Sequence, residues 1–405
     1  MSIPTNQELT KGEEVNTRPE DIRLTGERLP VEQEDTTVKD DAEDYIFLKP
    51  KRAKHRSTAS GTIRRAKKRK KMKTWKKFLI GFVCGILAII LIFAGTALYL
   101  IFKGQSELFP DDYNITAPKG VQVDDGGRYV HYNGHTYRLN ESVTNLLFMG
   151  VDKRDLGDVS DYGTHGQADV IVMMAYDTKH KKITMINVPR DLMTDVPIYT
   201  ADGVYSTTKK QQICLAYAYG DGKDKSCDNV KTVVERLFYN MPVKTYFALD
   251  MDGIVAVNDS VGGVDVVSPE TIETFVKGQS YHLMGRQSER FVRARTHDNA
   301  QANLLRNERQ KVYATSFMSG MLKATKKNLS VPVDVFNASA PYSATNLSAS
   351  RISFLAKEVT LGGNPKTDIK AIAGDTKLNG KYAEFTLKEK EFYELFLSVY
   401  YDMVN

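Results

Sequence analysis

Three short apolar runs lie close together in the chain, residues 146–151 (LLFMGV), 170–176 (VIVMMAY) and 183–188 (ITMINV). Each has strand length, suits a buried sheet and is bounded by Gly, Asp or a Lys-rich turn. Pairing the second and third as a hairpin across residues 177–182 puts Asp169 and Arg190 at one end of the sheet. A suitably oriented first strand adds Asp152 there. Elsewhere the pattern changes period. Residues 128–139 alternate aromatic and polar positions around Asn133-Gly134, a hairpin with a type I′ turn. Residues 228–239 place Val230, Val233, Val234, Leu237 and Phe238 at helical spacing. Residues 244–250 read as a strand, 252–260 as a short helix and 261–267 as a glycine turn into another strand. Residues 289–295 end a helix carrying Arg293 and Arg295, and 307–323 form a further helix. Strands and helices interleave without an internal repeat, so the class is α/β around a mixed sheet.

Upstream, residues 78–102 form about 25 uncharged apolar positions, enough for one bilayer span. Residues 51–77 hold 14 Lys and Arg and no acid; a basic block flanking a single span keeps that side in the cytoplasm. Residues 1–77 have few aromatics and many charges and read as disordered. A cleaved signal would be shorter and followed by small residues. The expected order is a cytoplasmic segment 1–77, a span 78–102, a stalk and hairpin 103–140, the main domain 141–325 and a remainder 326–405 that carries no nameable chemistry. The cell membrane is thus the expected location, with the C-terminal domain outside.

Charge narrows the function. The chain carries 56 Lys+Arg and 50 Asp+Glu. Residues 1–50 hold 6 bases and 13 acids, so 36 bases and 37 acids remain from Lys103 onward. A near-neutral folded part argues against a nucleic-acid binder. Cys214 and Cys227 flank a Gly/Asp/Lys-rich loop outside the membrane, where a disulfide between them is the expectation. Clustered His ligands are lacking, which disfavours zinc. Carboxylates and arginines converging at a sheet end suit a divalent metal and a phosphate-bearing ligand.

The ordered set GVDKR (150–154), QADVIVMMAYDTKHKKITMINVPRD (167–191), AYAYGDG (216–222), NDSVGGVDV (258–266), FVRARTHD (291–298) and RNERQ (306–310), behind one N-terminal span, resembles the LytR-CpsA-Psr family. The resemblance covers residues 145–323. It implies an α/β/α sandwich with a hydrophobic tunnel for a polyprenyl chain. The implied activity is magnesium-dependent transfer of a glycopolymer, such as teichoic acid or capsule, from an undecaprenyl-pyrophosphate carrier to peptidoglycan in Gram-positive envelopes. By the same resemblance, Asp152 and Asp169 bind Mg2+, and Arg154, Arg190, Arg293, Arg295, Arg306, Arg309 and Gln310 contact the pyrophosphate. Arg190 and Asp298 are the implied catalytic pair, Asp298 taking a proton. The chain departs from the family pattern at Gln167, where Arg is common, and at Gln212 and Leu215, where Lys and His are. It also has a longer interval between Asp298 and Arg306. Alternatives from other classes remain: a non-catalytic polyprenyl-pyrophosphate binding or scaffold protein, a lipid pyrophosphatase, or an envelope-linked signalling protein or transcriptional attenuator.

Overall fold

The computed structural model describes residues 74–158, 160, 162–163, 166–294, 300–328, 330–363, 365–379 and 382–404. Residues 1–73 lie outside it, and with them most of the segment read as disordered and basic. Helix α1 (Thr74–Leu108) contains the expected span. Its part from Gly81 to Leu108 is long and apolar enough to cross a membrane, with a mean hydropathy of 2.5.

The expected stalk is not a stalk. Leu108, Tyr113 and Ile115 are buried; the Leu108 carbonyl accepts a hydrogen bond from Thr144 Oγ1 (2.8 Å), and Thr116 N–H donates to Tyr239 O (2.8 Å). Apolar side chains among the polar residues strap this segment to the domain. It leads into β1 (Gln122–Asp124), β2 (Tyr129–Tyr132) and β3 (His135–Leu139). The β2–β3 turn is as expected, with Asn133 and Gly134 both at positive φ.

The three apolar runs become β4 (Val143–Val151), β5 (Ala168–Asp177) and β6 (Lys182–Val188). After them come β7 (Met193–Tyr199), β8 (Tyr205–Gln212), α2 (Asp224–Leu237), β9 (Thr245–Leu249) and α3 (Met251–Ser260). Next are β10 (Val264–Val267), β11 (Ser280–Leu283), α4 (Arg286–Arg293), α5 (Ala300–Lys327) and α6 (Val331–Ser339). The chain closes with β12 (Ser343–Thr345), α7 (Ala349–Leu361), β13 (Lys366–Ala371), β14 (Gly374–Asn379), β15 (Tyr382–Leu387), α8 (Glu389–Tyr400) and β16 (Tyr401–Met403).

The central sheet has the order β12-β9-β4-β5-β6-β13. Strand β4 runs antiparallel to β5 and parallel to β9, and β5 is antiparallel to β6. Both sheet edges come from residues beyond 326, and β16 completes a second sheet with β3. The expected boundary at 325/326 therefore does not divide the fold.

Burial alternates along the central strands. Leu147, Met149, Ile171, Met173 and Ile186 are sealed into the main core with Val230, Val233 and Val234 of α2 and Phe392 and Phe396 of α8. Leu146, Phe148, Val172, Met174 and Phe247 point the other way and are only half-buried. On that side Met185 and Tyr176 pack with Met318 and Leu322 of α5 and Leu355 and Val359 of α7. Helices on both faces of a mixed sheet give the expected α/β/α sandwich. A third cluster joins β10, β11, α4 and α5 through Val266, Leu283, Phe291, Val292 and Phe317.

Candidate functional site

The topology puts the C-terminal end of β4, the N-terminal end of β5 and the C-terminal ends of β6 and β9 at one edge of the sandwich. Antiparallel pairing sets Val151 opposite Ala168 and Ile171 opposite Val188. Asp152, Asp169 and Arg190 therefore arrive together, as the apolar runs predict. Beside them opens a cleft of about 570 Å³ lined by Asp152, Asp169, Asp250, Arg293, Arg306 and Gln310 over a floor that includes Val170, Leu249 and Met251.

Each charged group is tied down. Arg190 Nη1 donates to Asp169, its Nη2 donates to Gln167 Oε1 (2.8 Å), and its Nε lies 3.5 Å from Asp191 Oδ1. Gln167, at a departure from the family pattern, thus steadies Arg190. Gln212, at another, donates to Asp191 Oδ1 (3.0 Å) and Ala383 O (2.7 Å). Arg293 Nη2 reaches Asp152 Oδ1 (3.5 Å) and its Nη1 reaches Glu289 (3.0 Å). Arg154 pairs with Asp252 and, through Nη2, with Glu289 (3.2 Å). Arg306 is buried at the cleft wall.

Burial raises the Asp169 carboxyl above its ordinary range; Arg190 and Arg306 draw it down, while the neighbouring Asp152 charge pushes it up. Asp191 is raised by burial too, against the pull of Arg190. Asp250 is pushed up to about 6 by burial, although Gly253 N–H donates to it (2.8 Å) at the N-cap of α3. Among the described residues no group of three or more His, Cys, Asp or Glu side chains forms a ready-made metal centre. Asp152 and Asp169, the pair that the family resemblance implies for a cation, both line the cleft together with Asp250.

Two expectations fail here. Arg309 is not a cleft residue: it is 1% exposed, and its Nε donates to Phe291 O (2.9 Å) while its other nitrogens reach Glu270 and Ala294 O. Its three nitrogens are thus engaged in clamping the end of α4 to α5. The disulfide is also absent, for Cys214 and Cys227 are separate buried thiols. Asp221 Oδ1 accepts from the N–H groups of Lys223, Lys225 and Ser226, which starts α2 within the presumed loop. That draws Cys227 into the core beside Val230, while Cys214 stays at the site edge, 3.5 Å from Gln167 Oε1. Burial pushes the Cys214 thiol up to about 12, far from reactive. Arg295 and Asp298 lie outside the described residues.

Sequence reasoning also missed two carboxylates. Asp250 had a signal, since a strand ending in Asp before a helical run marks an N-cap. Glu289 had one as well, sitting four residues before Arg293 on the same helix.

The sequence model described as the LytR_cpsA_psr family matches residues 112–396. Over 247 residues the chain is 26% identical to the polyisoprenyl-teichoic acid–peptidoglycan teichoic acid transferase TagV of Bacillus subtilis, a match spanning 58% of each chain. It is 29% identical over 251 residues to the transferase of the same description, TagU, of Oceanobacillus iheyensis, spanning 60% of this chain and 69% of that one. Among solved structures, protein gbs0355 of Streptococcus agalactiae superposes with a TM-score of 0.51 at 19% identity, covering 64% of this chain and 86% of that one. That likeness is one of fold.

Proposed function

We propose a function from the premise that this chain belongs to the LytR-CpsA-Psr family, whose sequence model spans most of it. The protein is a membrane-anchored transferase that moves a glycopolymer, of the teichoic acid kind, from an undecaprenyl-diphosphate carrier to peptidoglycan. One observation carries this reading. Carboxylates and arginines converge at the end of a sheet whose second face is apolar and, at Leu146, Phe148 and Phe247, only half-buried. A diphosphate carries about two charges and needs cations of fixed geometry, which guanidinium groups supply. A polyprenyl chain needs an apolar bed. Leu146, Phe148 and Phe247 offer one, with the rings of Phe148 and Phe247 stacked at 6.2 Å. Helix α1 would hold the domain at the bilayer that contains such a lipid, with the basic block on the cytoplasmic side.

The residues divide the work. Arg190, Arg293 and Arg306 hold the diphosphate, and the carboxylates paired with Arg190 and Arg293 keep those two oriented before it arrives. Asp152 and Asp169 suit a magnesium ion, because a buried carboxylate beside an exposed one that repels it matches the one or two it takes from protein. When bound, the ion supplies positive charge against that developing on the leaving phosphate. A peptidoglycan hydroxyl attacks the sugar-linked phosphorus, the bond to the bridging oxygen breaks, and polyprenyl phosphate leaves. The hydroxyl proton goes to a carboxylate. Asp250 suits this, ionised at pH 7 yet basic enough to accept.

The test uses the full chain in nanodiscs with magnesium, peptidoglycan fragments and a short-chain prenyl-diphosphate-linked saccharide. Prenyl phosphate should be released only with acceptor, and Arg190→Ala should lower the rate by about 10²-fold or more. Release without acceptor would instead mark a pyrophosphatase, and saturable binding without release a carrier-binding protein.

A further inference from the structure

The carboxylate of Glu289 occupies an unusual position for an acid in an anion site. It is 5% exposed, on the buried side of α4. Its Oε1 alone receives two guanidinium groups, Arg154 Nη2 at 3.2 Å and Arg293 Nη1 at 3.0 Å, from segments far apart in the chain. Its Oε2 lies 3.9 Å from the exposed Arg286. Each bridged arginine is held from its other end as well, Arg154 by Asp252 and Arg293 by Asp152. Two long cationic side chains that would otherwise repel each other and sweep through solvent are thus locked side by side at the cleft mouth.

We propose that Glu289 is a positioning residue that sets Arg154 and Arg293 as one unit to receive the donor's diphosphate. This rests on the transferase reading above, in which Arg293 holds that group; the shared Glu289 oxygen brings Arg154 beside it. A guanidinium has five N–H donors. Arg154 spends one each on Asp252 and Glu289, and Arg293 one each on Asp152 and Glu289, so both keep donors for phosphate oxygens. Fixing the side chains beforehand removes the ordering cost from the binding step. The opposing role is also definite: a carboxylate there could merely cancel positive charge and weaken anion binding. The two roles predict opposite signs.

The experiment measures binding of geranylgeranyl diphosphate to the full chain in nanodiscs, with magnesium, for Glu289→Leu and Glu289→Gln. Glu289→Leu removes the bridge, and Kd should rise about tenfold to hundredfold. Glu289→Gln keeps an oxygen at Oε1 but loses the charge, and Kd should rise by less than in Glu289→Leu, about threefold to tenfold. In turnover with the saccharide donor, KM should carry the loss while kcat holds, since the diphosphate is gripped equally in ground and transition states. In an Arg154→Ala/Arg293→Ala background, Glu289→Leu should add less than about twofold. Tighter binding in both single variants would overturn the proposal in favour of charge cancellation. A full effect persisting without the two arginines, or a fall in kcat at constant KM, would reduce Glu289 to a structural role and overturn it too. Parent binding lost in Arg190→Ala but untouched in Glu289→Leu would sink this proposal alone; no binding by the parent would sink the transferase reading with it.

Discussion

Arg309→Met should unfold more than it disarms. The guanidinium is 1% exposed, its ion-pair partner Glu270 is 8% exposed, and it also satisfies the carbonyls of Phe291 and Ala294. Removing one member of a buried pair leaves the other charge uncompensated at about 3–5 kcal/mol. For a domain of this size each kcal/mol is worth roughly 2–4 °C, so the melting temperature should fall by about 6–20 °C. Methionine keeps the unbranched apolar stem and limits the space left behind. In Arg309→Met/Glu270→Leu no buried charge remains, and most of the loss should return. Melts of the full chain followed by circular dichroism give the stabilities, and geranylgeranyl diphosphate titration the Kd. If Arg309 only clamps α4 to α5, the double variant binds within about threefold of the parent. An unchanged melting temperature together with lost binding would refute the reasoning and return Arg309 to the ligand.

Three other perturbations test separate parts of the molecule. A Cβ on Gly104 would overlap the Ser350 carbonyl of α7, so Gly104→Ala should cost about 1–3 kcal/mol in melts of the full chain by forcing α1 from its seat. The Asp250 carboxyl sits at about 6 in the folded state against 3.8 ordinarily, so the stability associated with its protonated form is full below about 3.8 and is lost as pH rises through about 6. Asp250→Asn keeps the cap on Gly253, so its melting temperature relative to the parent should climb between pH 4 and 7 while transfer slows. Because Cys214 and Cys227 are separate thiols, a reducing agent should leave the melting curve unmoved. A drop of several degrees would indicate a bridge.

Much of the architecture was legible because it rests on apolar burial. The three runs matched β4 to β6 to within three residues at every end, and the order of strand ends placed Asp152, Asp169 and Arg190 together. What the sequence concealed is stabilised otherwise. Strands β7 and β8, the latter running YSTTKKQQ, have little apolar alternation and are held by cross-strand pairing from Met193↔Gln212 to Tyr199↔Tyr205. Strand β13, KTDIKA, is an edge recruited by a parallel ladder onto β6. Among site residues, the failure at Arg309 has a single cause. An arginine at helical spacing beside Gln310 declares its charge but not its depth, and one turn of α5 separates a group facing the cleft from one locked beneath α4.

The cleft's own charges bear on the proposed magnesium. Among the described residues, Arg154, Arg190, Arg293 and Arg306 stand near it, against Asp152, Asp169, Asp191, Asp250, Asp252 and Glu289. Acids outnumber bases before any ligand arrives, and a diphosphate adds about two negative charges. At an effective dielectric of about 20, two like charges 4 Å apart cost roughly 4 kcal/mol, too much for a partly desolvated site to absorb. The arginines cannot offset both sets, because most of them already answer carboxylates. A divalent cation at Asp152 and Asp169 would meet two of those carboxylates and loosen the claim of Asp152 on Arg293. Anion affinity here should therefore depend on the cation more steeply than on any single arginine, and Arg293 should be the arginine whose contribution grows most when the cation is present.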